Sequence, residues 1–232
     1  MIQTETPAGL NAAEANLILE EASRDEDLGR KIARISSWFL GRPYVVGPLE
    51  GGAVSPEVFK VSLDGFDCVT YMETVLALAQ SRTLAEFIDA VRAMRYEAGE
   101  VDWGRRNHYM LDWVRNNEAR GVVRNLTEGA LTVEKTRTLG AVDGLPRKGV
   151  TFRCFPKKKF AGVRPLVRTG DLILFASTRK QLDVFHTGLL VKNDDVILLR
   201  HAARTAGAVI EQALTEFLDA HRMSGFILLR PL

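Results

Sequence analysis

Helices first and an antiparallel sheet last: the sequence predicts an α+β fold. Three observations carry that prediction. The first half contains stretches with apolar residues at helical spacing, each closed by Gly, Pro or a polar cap. The last third contains short apolar strands separated by polar turns, one of them Asn193-Asp194-Asp195. The composition, 46% hydrophobic and 26% charged over 232 residues, suits a single globular domain with a real core.

Each element follows in turn. Asn11 is a good N-cap for a helix over 11–21, and Ile32, Ile35, Trp38 and Phe39 mark a second helix over 25–40. Gly41-Arg42-Pro43 ends it, and 44–66 reads as a long loop. The segment after Cys68 lacks Gly and Pro and reads as a buried helix; 84–94 reads as another. The pattern weakens over 99–168, which reads as an insertion: helical in the second half of 103–117, a β-hairpin over 122–138, and a basic loop over 147–168. That loop carries eight Lys or Arg and no Asp or Glu, so it is either a solvated run or a surface facing an anionic ligand. Strands are expected at 171–175, 185–192, 196–201 and 226–230, with a short helix at 214–221. The domain expectation is one domain over 1–232, with the insertion shaping a cleft.

The formal net charge of +2 gives no argument for nucleic acid or a membrane surface. No apolar run approaches the roughly 18 residues of a membrane span. Residues 1–7 show neither a basic nor an apolar leader region, which leaves the compartment open: periplasmic or cell-envelope if a leader has been removed, otherwise cytoplasmic. Two cysteines, Cys68 and Cys154, are too few for a disulfide framework or a thiolate zinc site. No cofactor and no metal are expected, and a monomer is.

Asp67-Cys68-Val69-Thr70 sits where a glycine-punctuated loop becomes a helix. A thiol at a helix N-terminus is driven towards thiolate by the helix dipole and unpaired N–H groups. A lone cysteine is more often a small core residue, so partners decide. His186 begins one strand of the predicted hairpin and His201 ends the next. The start of one strand lies beside the end of its partner, so the two imidazoles are expected together at one end of the sheet. A Cys–His–His arrangement results, with one histidine as base and the other orienting it.

These residues carry a resemblance. Gly65-Phe66-Asp67-Cys68, Gly170-Asp171-Leu172-Ile173, His186-Thr187-Gly188-Leu189 and Arg200-His201-Ala202 follow the order of the NlpC-type, papain-like cell-wall cysteine peptidases. Leu40-Gly41-Arg42-Pro43-Tyr44-Val45, Asp67-Cys68-Val69-Thr70-Tyr71-Met72-Glu73, and Arg106-Asn107-His108-Tyr109 with Trp113 and Asn117 resemble its N-acetylmuramoyl-L-alanine amidase-like branch. The likeness runs from about Leu40 to the C-terminus. Thr187 stands where Val is commoner, and Thr70 where other branches often have Ser.

The resemblance implies a papain-like core with Cys68 as nucleophile, His186 as general base and His201 as the orienting third member. It puts Tyr44 in the cleft near the oxyanion, and Thr70, Glu73, Arg106, His108 and Tyr109 among substrate-binding candidates. Glu73 equally reads as a capping or salt-bridged carboxylate. The implied substrate is a peptidoglycan fragment, a muropeptide, cut between N-acetylmuramic acid and L-alanine. Other readings stay open: an endopeptidase cutting between γ-D-glutamate and the diamino acid, a zinc amidase using His108, His186 and His201, and a non-catalytic muropeptide-binding module.

Overall fold

The computed structural model describes residues 7–232; residues 1–6, which make up most of the stretch read for a leader, lie outside the described residues. The chain divides into two compact units, Met1–Asn107 with His201–Ile210, and His108–Arg200 with Glu211–Leu232. The boundary at Asn107 falls inside the segment 99–168 that the sequence marks as an insertion.

The first unit is mostly helical. Helices α1 (Ala12–Ala22) and α2 (Leu28–Trp38) are capped by Asn11 and Asp27, whose side chains accept the N–H groups of Glu14 and Arg30. A small ribbon of β1 (Glu50–Gly52) and β2 (Ser55–Val58) follows, inside a segment expected to be loop throughout. Then come α3 (Cys68–Gln80) and α4 (Leu84–Arg95). Every residue of α3 from Thr70 to Ala79 is buried, because α1, α2 and α4 all pack on it. Phe39, Phe66 and Tyr71 interlock edge-to-face beside it, with ring centroids 5.0 Å apart for Phe39–Phe66 and 5.7 Å for Phe66–Tyr71. The buried Tyr71 hydroxyl donates to the Ser36 carbonyl at 3.0 Å, so its polar end is satisfied.

The second unit begins with α5 (Met110–Ala119), β3 (Val123–Asn125), the antiparallel pair β4 (Val133–Leu139) and β5 (Lys148–Cys154), and the short α6 (Phe160–Val163). Next are β6 (Leu172–Ala176), β7 (Val184–Asn193), β8 (Val196–Ala203), β9 (Ala208–Ala213), α7 (Leu214–Ala220) and β10 (Gly225–Pro231). Six strands form one sheet in the order β3-β10-β6-β7-β8-β9. β8 and β9 each run from residues of one unit into residues of the other. All five residues of the central β6 are buried, so it shows no alternation. Phe155, Ile173, Phe175, Leu190, Phe217 and Phe226 form the core of this unit. Gly225 lets β10 begin there: its φ is +152°, and a Cβ would lie 2.6 Å from both the Cys154 sulfur and the Phe155 carbonyl oxygen.

Two further sequence expectations are corrected, and one strand is added. No hairpin forms over 122–138: β3 pairs with β10, whereas β4 pairs with β5. The basic run 147–168 is not one loop but supplies β5 and α6. β9 adds a strand that its short pattern did not announce.

Two polar groups hold these units together internally. In the first, Arg95 Nε donates to Glu73 Oε2 at 2.8 Å with both side chains almost fully buried, and Arg95 Nη1 donates to the Lys60 carbonyl at 2.6 Å. In the second, the buried Asp183 accepts the N–H of Leu111 at 2.8 Å and that of Val184 at 2.7 Å. It therefore caps α5, whose own N-cap residue, Tyr109, offers no side-chain bond. Burial pushes the Asp183 carboxyl above the usual range; the two N–H bonds oppose this and the nearby Asp112 charge adds to it.

Arg95→Met strands a carboxylate in the core, so it should lower the unfolding free energy in urea by about 3–5 kcal/mol, and Glu73→Leu with Arg95→Met should recover most of that. A single variant as stable as the wild type would refute the pair's role. Because the folded pKa of Asp183 is raised, its stabilising proton is fully bound below the ordinary carboxyl value of about 3.9 and lost as pH rises through the folded value. The wild type's stability relative to Asp183→Asn should therefore shrink from about pH 4 towards pH 7. A difference that stays flat over that window would exclude the effect.

Candidate active site

The first turn of α3 is built by its cap. Asp67 sits in extended backbone (φ −91°, ψ −179°), and its Oδ1 accepts the N–H groups of Val69 at 3.1 Å and Thr70 at 2.8 Å. Thr70 Oγ1 accepts the Asp67 N–H at 3.0 Å and donates to Asp67 Oδ1 at 2.8 Å. This reciprocal box fixes the loop-to-helix turn and leaves Cys68, the first residue of the helix, partly exposed. Thr70 is buried in that cap.

Tyr44 is brought to the same place by backbone. Val45 N–H donates to the Phe66 carbonyl at 2.8 Å and Phe66 N–H to the Pro43 carbonyl at 3.0 Å. Gly65 allows this approach, since a Cβ there would stand 2.6 Å from Val45 Cγ2 and 3.0 Å from the Pro43 oxygen. On its other side, Tyr44 N–H donates to the Gly207 carbonyl at 2.8 Å, and Gly41 and Arg42 pair with Val209. The segment carrying Tyr44 is thus held between the approach to Cys68 and the turn after β8. Burial pushes the Tyr44 phenol above its ordinary value; Cys68 and Asp67, when ionised, push the same way, against Arg204. The phenol therefore keeps its proton across neutral pH and can only donate to an anion.

His201 belongs to this first unit and is buried at 2% exposure on β8. His186 belongs to the second unit, on β7, opposite Phe175 in the β6–β7 register. Its ring is half-buried and stacked, with centroids 6.1 Å from Phe175 and 5.4 Å from Phe217. Thr187, the departure from the family's usual Val, is fully buried, and its hydroxyl donates to the Ile173 carbonyl at 3.1 Å. The substitution is thereby satisfied within the sheet. Gly170-Asp171-Leu172 is likewise structural: Asp171 accepts a two-pronged pair from Arg230, at 2.8 Å through Nε and 2.8 Å through Nη2.

The remaining candidates lie in more structural surroundings. Glu73 is in the buried pair with Arg95. Arg106 Nη2 donates to Glu57 Oε2 at 2.7 Å, Tyr96 donates to the other oxygen of Glu57 at 2.7 Å, and Arg106 Nε is buried without a hydrogen-bond partner among the described residues. Burial, followed by that bond to Glu57, raises the Tyr96 phenol strongly. Tyr109 is buried, and its hydroxyl accepts the N–H groups of Ala141 at 3.0 Å and Val142 at 3.2 Å. His108 is half-buried. Arg106 falls in the first unit; His108 and Tyr109 fall in the second. Cys154 is fully buried, and burial raises its thiol pKa. The sequence reading missed Glu57, Arg95 and Asp183, whose partners lie far along the chain; a buried carboxylate in an otherwise apolar helix, as at Glu73, is the signal that pointed to such a partner.

Among the described residues, no cluster of three or more His, Cys, Asp or Glu side chains is placed to hold a metal ion. No helix among them is long and apolar enough to cross a membrane. No curated protein matches the chain. The fold is that of a Legionella pneumophila protein of the family DUF1460, at TM-score 0.84 and 19% identity, covering 95% of this chain and 94% of that one. It is also that of an N-acetylmuramoyl-L-alanine amidase from Bacteroides uniformis, at TM-score 0.79 and 24% identity, covering 88% of this chain and 99% of that one. At such identities the likeness is one of fold. A family model, the AmiA-like, N-acetylmuramoyl-L-alanine amidase-like one, matches residues 34–226. With its mixed helices and antiparallel sheet, and with Asp67-Cys68, Gly170-Asp171 and His186 inside the matched span, this chain belongs to the AmiA-like family of N-acetylmuramoyl-L-alanine amidase-like hydrolases.

Proposed function

We propose that this protein is a cysteine amidase that hydrolyses the amide joining N-acetylmuramic acid to L-alanine in muropeptides. One observation carries the reading: Cys68 is the partly exposed first residue of a firmly capped helix, and the Tyr44 segment is hydrogen-bonded against the loop that leads into it. Membership of the amidase-like family supports this choice of bond.

In this mechanism His186 takes the proton of the Cys68 thiol. The thiolate attacks the lactyl carbonyl carbon of the muramic acid, forming a C–S bond and placing negative charge on the carbonyl oxygen. The Cys68 backbone N–H and the Tyr44 hydroxyl donate to that oxyanion; Tyr44 serves as a donor because its raised pKa keeps the proton in place. The imidazolium of His186 protonates the alanine nitrogen as the C–N bond breaks, and the peptide leaves with a free amino terminus. Water activated by His186 then cleaves the thioester, returning the thiol and releasing the sugar acid. His201 holds the base in the right tautomer and orientation.

Cys68→Ala should reduce turnover of a purified muropeptide to background, and mass spectrometry of wild-type products should show free peptide beginning with L-alanine. Products in which L-alanyl-D-glutamate stays on the sugar would replace this reading with the endopeptidase one. Iodoacetamide should abolish activity, whereas a chelator should leave it; the reverse pattern would sink the thiol mechanism. Tyr44→Phe should cost about a hundredfold to a thousandfold in kcat with the thermal midpoint unchanged. Turnover near that of the wild type would remove Tyr44 from the oxyanion site.

A further inference from the structure

The basic run that begins at Arg147 is only partly used by the elements around it. Lys148 pairs with Asp112, and Arg153 Nε donates to Thr132 Oγ1 at 2.7 Å. Arg147 instead lines a cleft of about 430 Å³ with Thr136, Arg137, Thr138, Lys180 and Gln181, all in the second unit. Three of these six side chains are cationic and none is acidic. Among the described residues, Arg137, Arg147 and Lys180 make no ion pair with a carboxylate.

The cleft is built rather than incidental. Arg137 is fixed by three acceptors: Nη1 donates to the Thr136 carbonyl at 3.0 Å, and Nη2 to Ser224 Oγ at 2.9 Å and the Ser177 carbonyl at 3.3 Å. Its Nε is buried with no hydrogen-bond partner among the described residues. Gly140 leaves room for Arg147 to lie across the backbone, since a Cβ would stand 3.0 Å from Arg147 Cγ and 3.3 Å from its Nε. The Gly140 N–H donates to the Gln181 carbonyl at 3.1 Å, tying the end of β4 to the turn that joins β6 to β7. That turn closes the end of the sheet at which Ala176 pairs with Val184, two residues before His186.

The volume is in the range of small-ligand sites, and its charge calls for a ligand with more than one carboxylate. A peptide stem has that chemistry: γ-linked D-glutamate leaves its α-carboxylate free one residue past L-alanine, and later residues add another. Each residue of an extended stem advances the chain by about 3.4 Å, and the turn beside this cleft leads directly into the strand that carries His186. Resting on the amidase reading above, we propose that the Arg137–Arg147–Lys180 cleft is the subsite for the carboxylates of the substrate's peptide stem.

The test is calorimetric binding of L-Ala-γ-D-Glu-L-Lys, as the free acid and with both carboxyls amidated, to the wild type and to Arg147→Ala/Lys180→Ala. Both replaced side chains are exposed, so the variant should fold normally. The wild type should bind the acid more tightly than the amide, and the variant should lose about five- to thirtyfold of affinity for the acid and bind the two alike. The preference should weaken with added salt. Equal binding of the acid by both proteins would overturn the subsite, as would displacement of the peptide by inorganic phosphate at equal concentration. Charge-dependent binding by a protein that hydrolyses no muropeptide would support the subsite while removing the amidase reading.

Discussion

The chemistry available to the first unit depends on how α3 begins. A helix buried from Thr70 to Ala79 has no solvated face to orient it, and its N-terminal N–H groups must be satisfied locally. The Asp67–Thr70 box does this with two side chains. In the same act it fixes the backbone turn from which Cys68 projects and spends the hydroxyl of Thr70. Gly65, one step earlier, lets the Tyr44 segment lie against the loop. Cys68 and the Tyr44 segment are thus placed by short hydrogen bonds to and from the backbone rather than by long, mobile side chains.

The same economy recurs through both units: a buried polar group in one element meets its partner in a distant one. Tyr71 finds the Ser36 carbonyl 35 residues away, Glu73 finds Arg95 at 22, Asp171 finds Arg230 at 59 and Asp183 finds Leu111 at 72. Each such bond fixes one register or one helix end, and leaving any of them unmade in a dry core is costly. They add to the uniqueness of the packing more than to its bulk.

This explains what could be read from the chain. The helices with capped starts and apolar periodicity were legible, as was the hairpin turn at Asn193-Asp194-Asp195, because those signals are local. The Asp67-Cys68 helix start and the two histidines on strands were legible for the same reason. The fate of 122–138 was not, since β3 takes its partner from β10 at the far end of the chain, and a three-residue strand carries almost no pattern. Glu73, Arg106 and Tyr109 could be singled out by type and position. The pairing of Glu73 with Arg95 and of Arg106 with Glu57, and the two N–H groups on Tyr109, arise from contacts that no spacing encodes.

The burial of Cys154 has a consequence for handling this protein. Its sulfur lies under Gly225, with no exposed surface and a thiol pKa pushed up by burial, so it forms little thiolate and offers no path to a reagent. Cys68, at a helix start, is partly exposed and open to a reagent. The folded chain therefore presents one addressable sulfur, and the denatured chain two. A maleimide dye attached under native conditions would mark a single position, and the count of reactive thiols would itself report whether the second unit is folded.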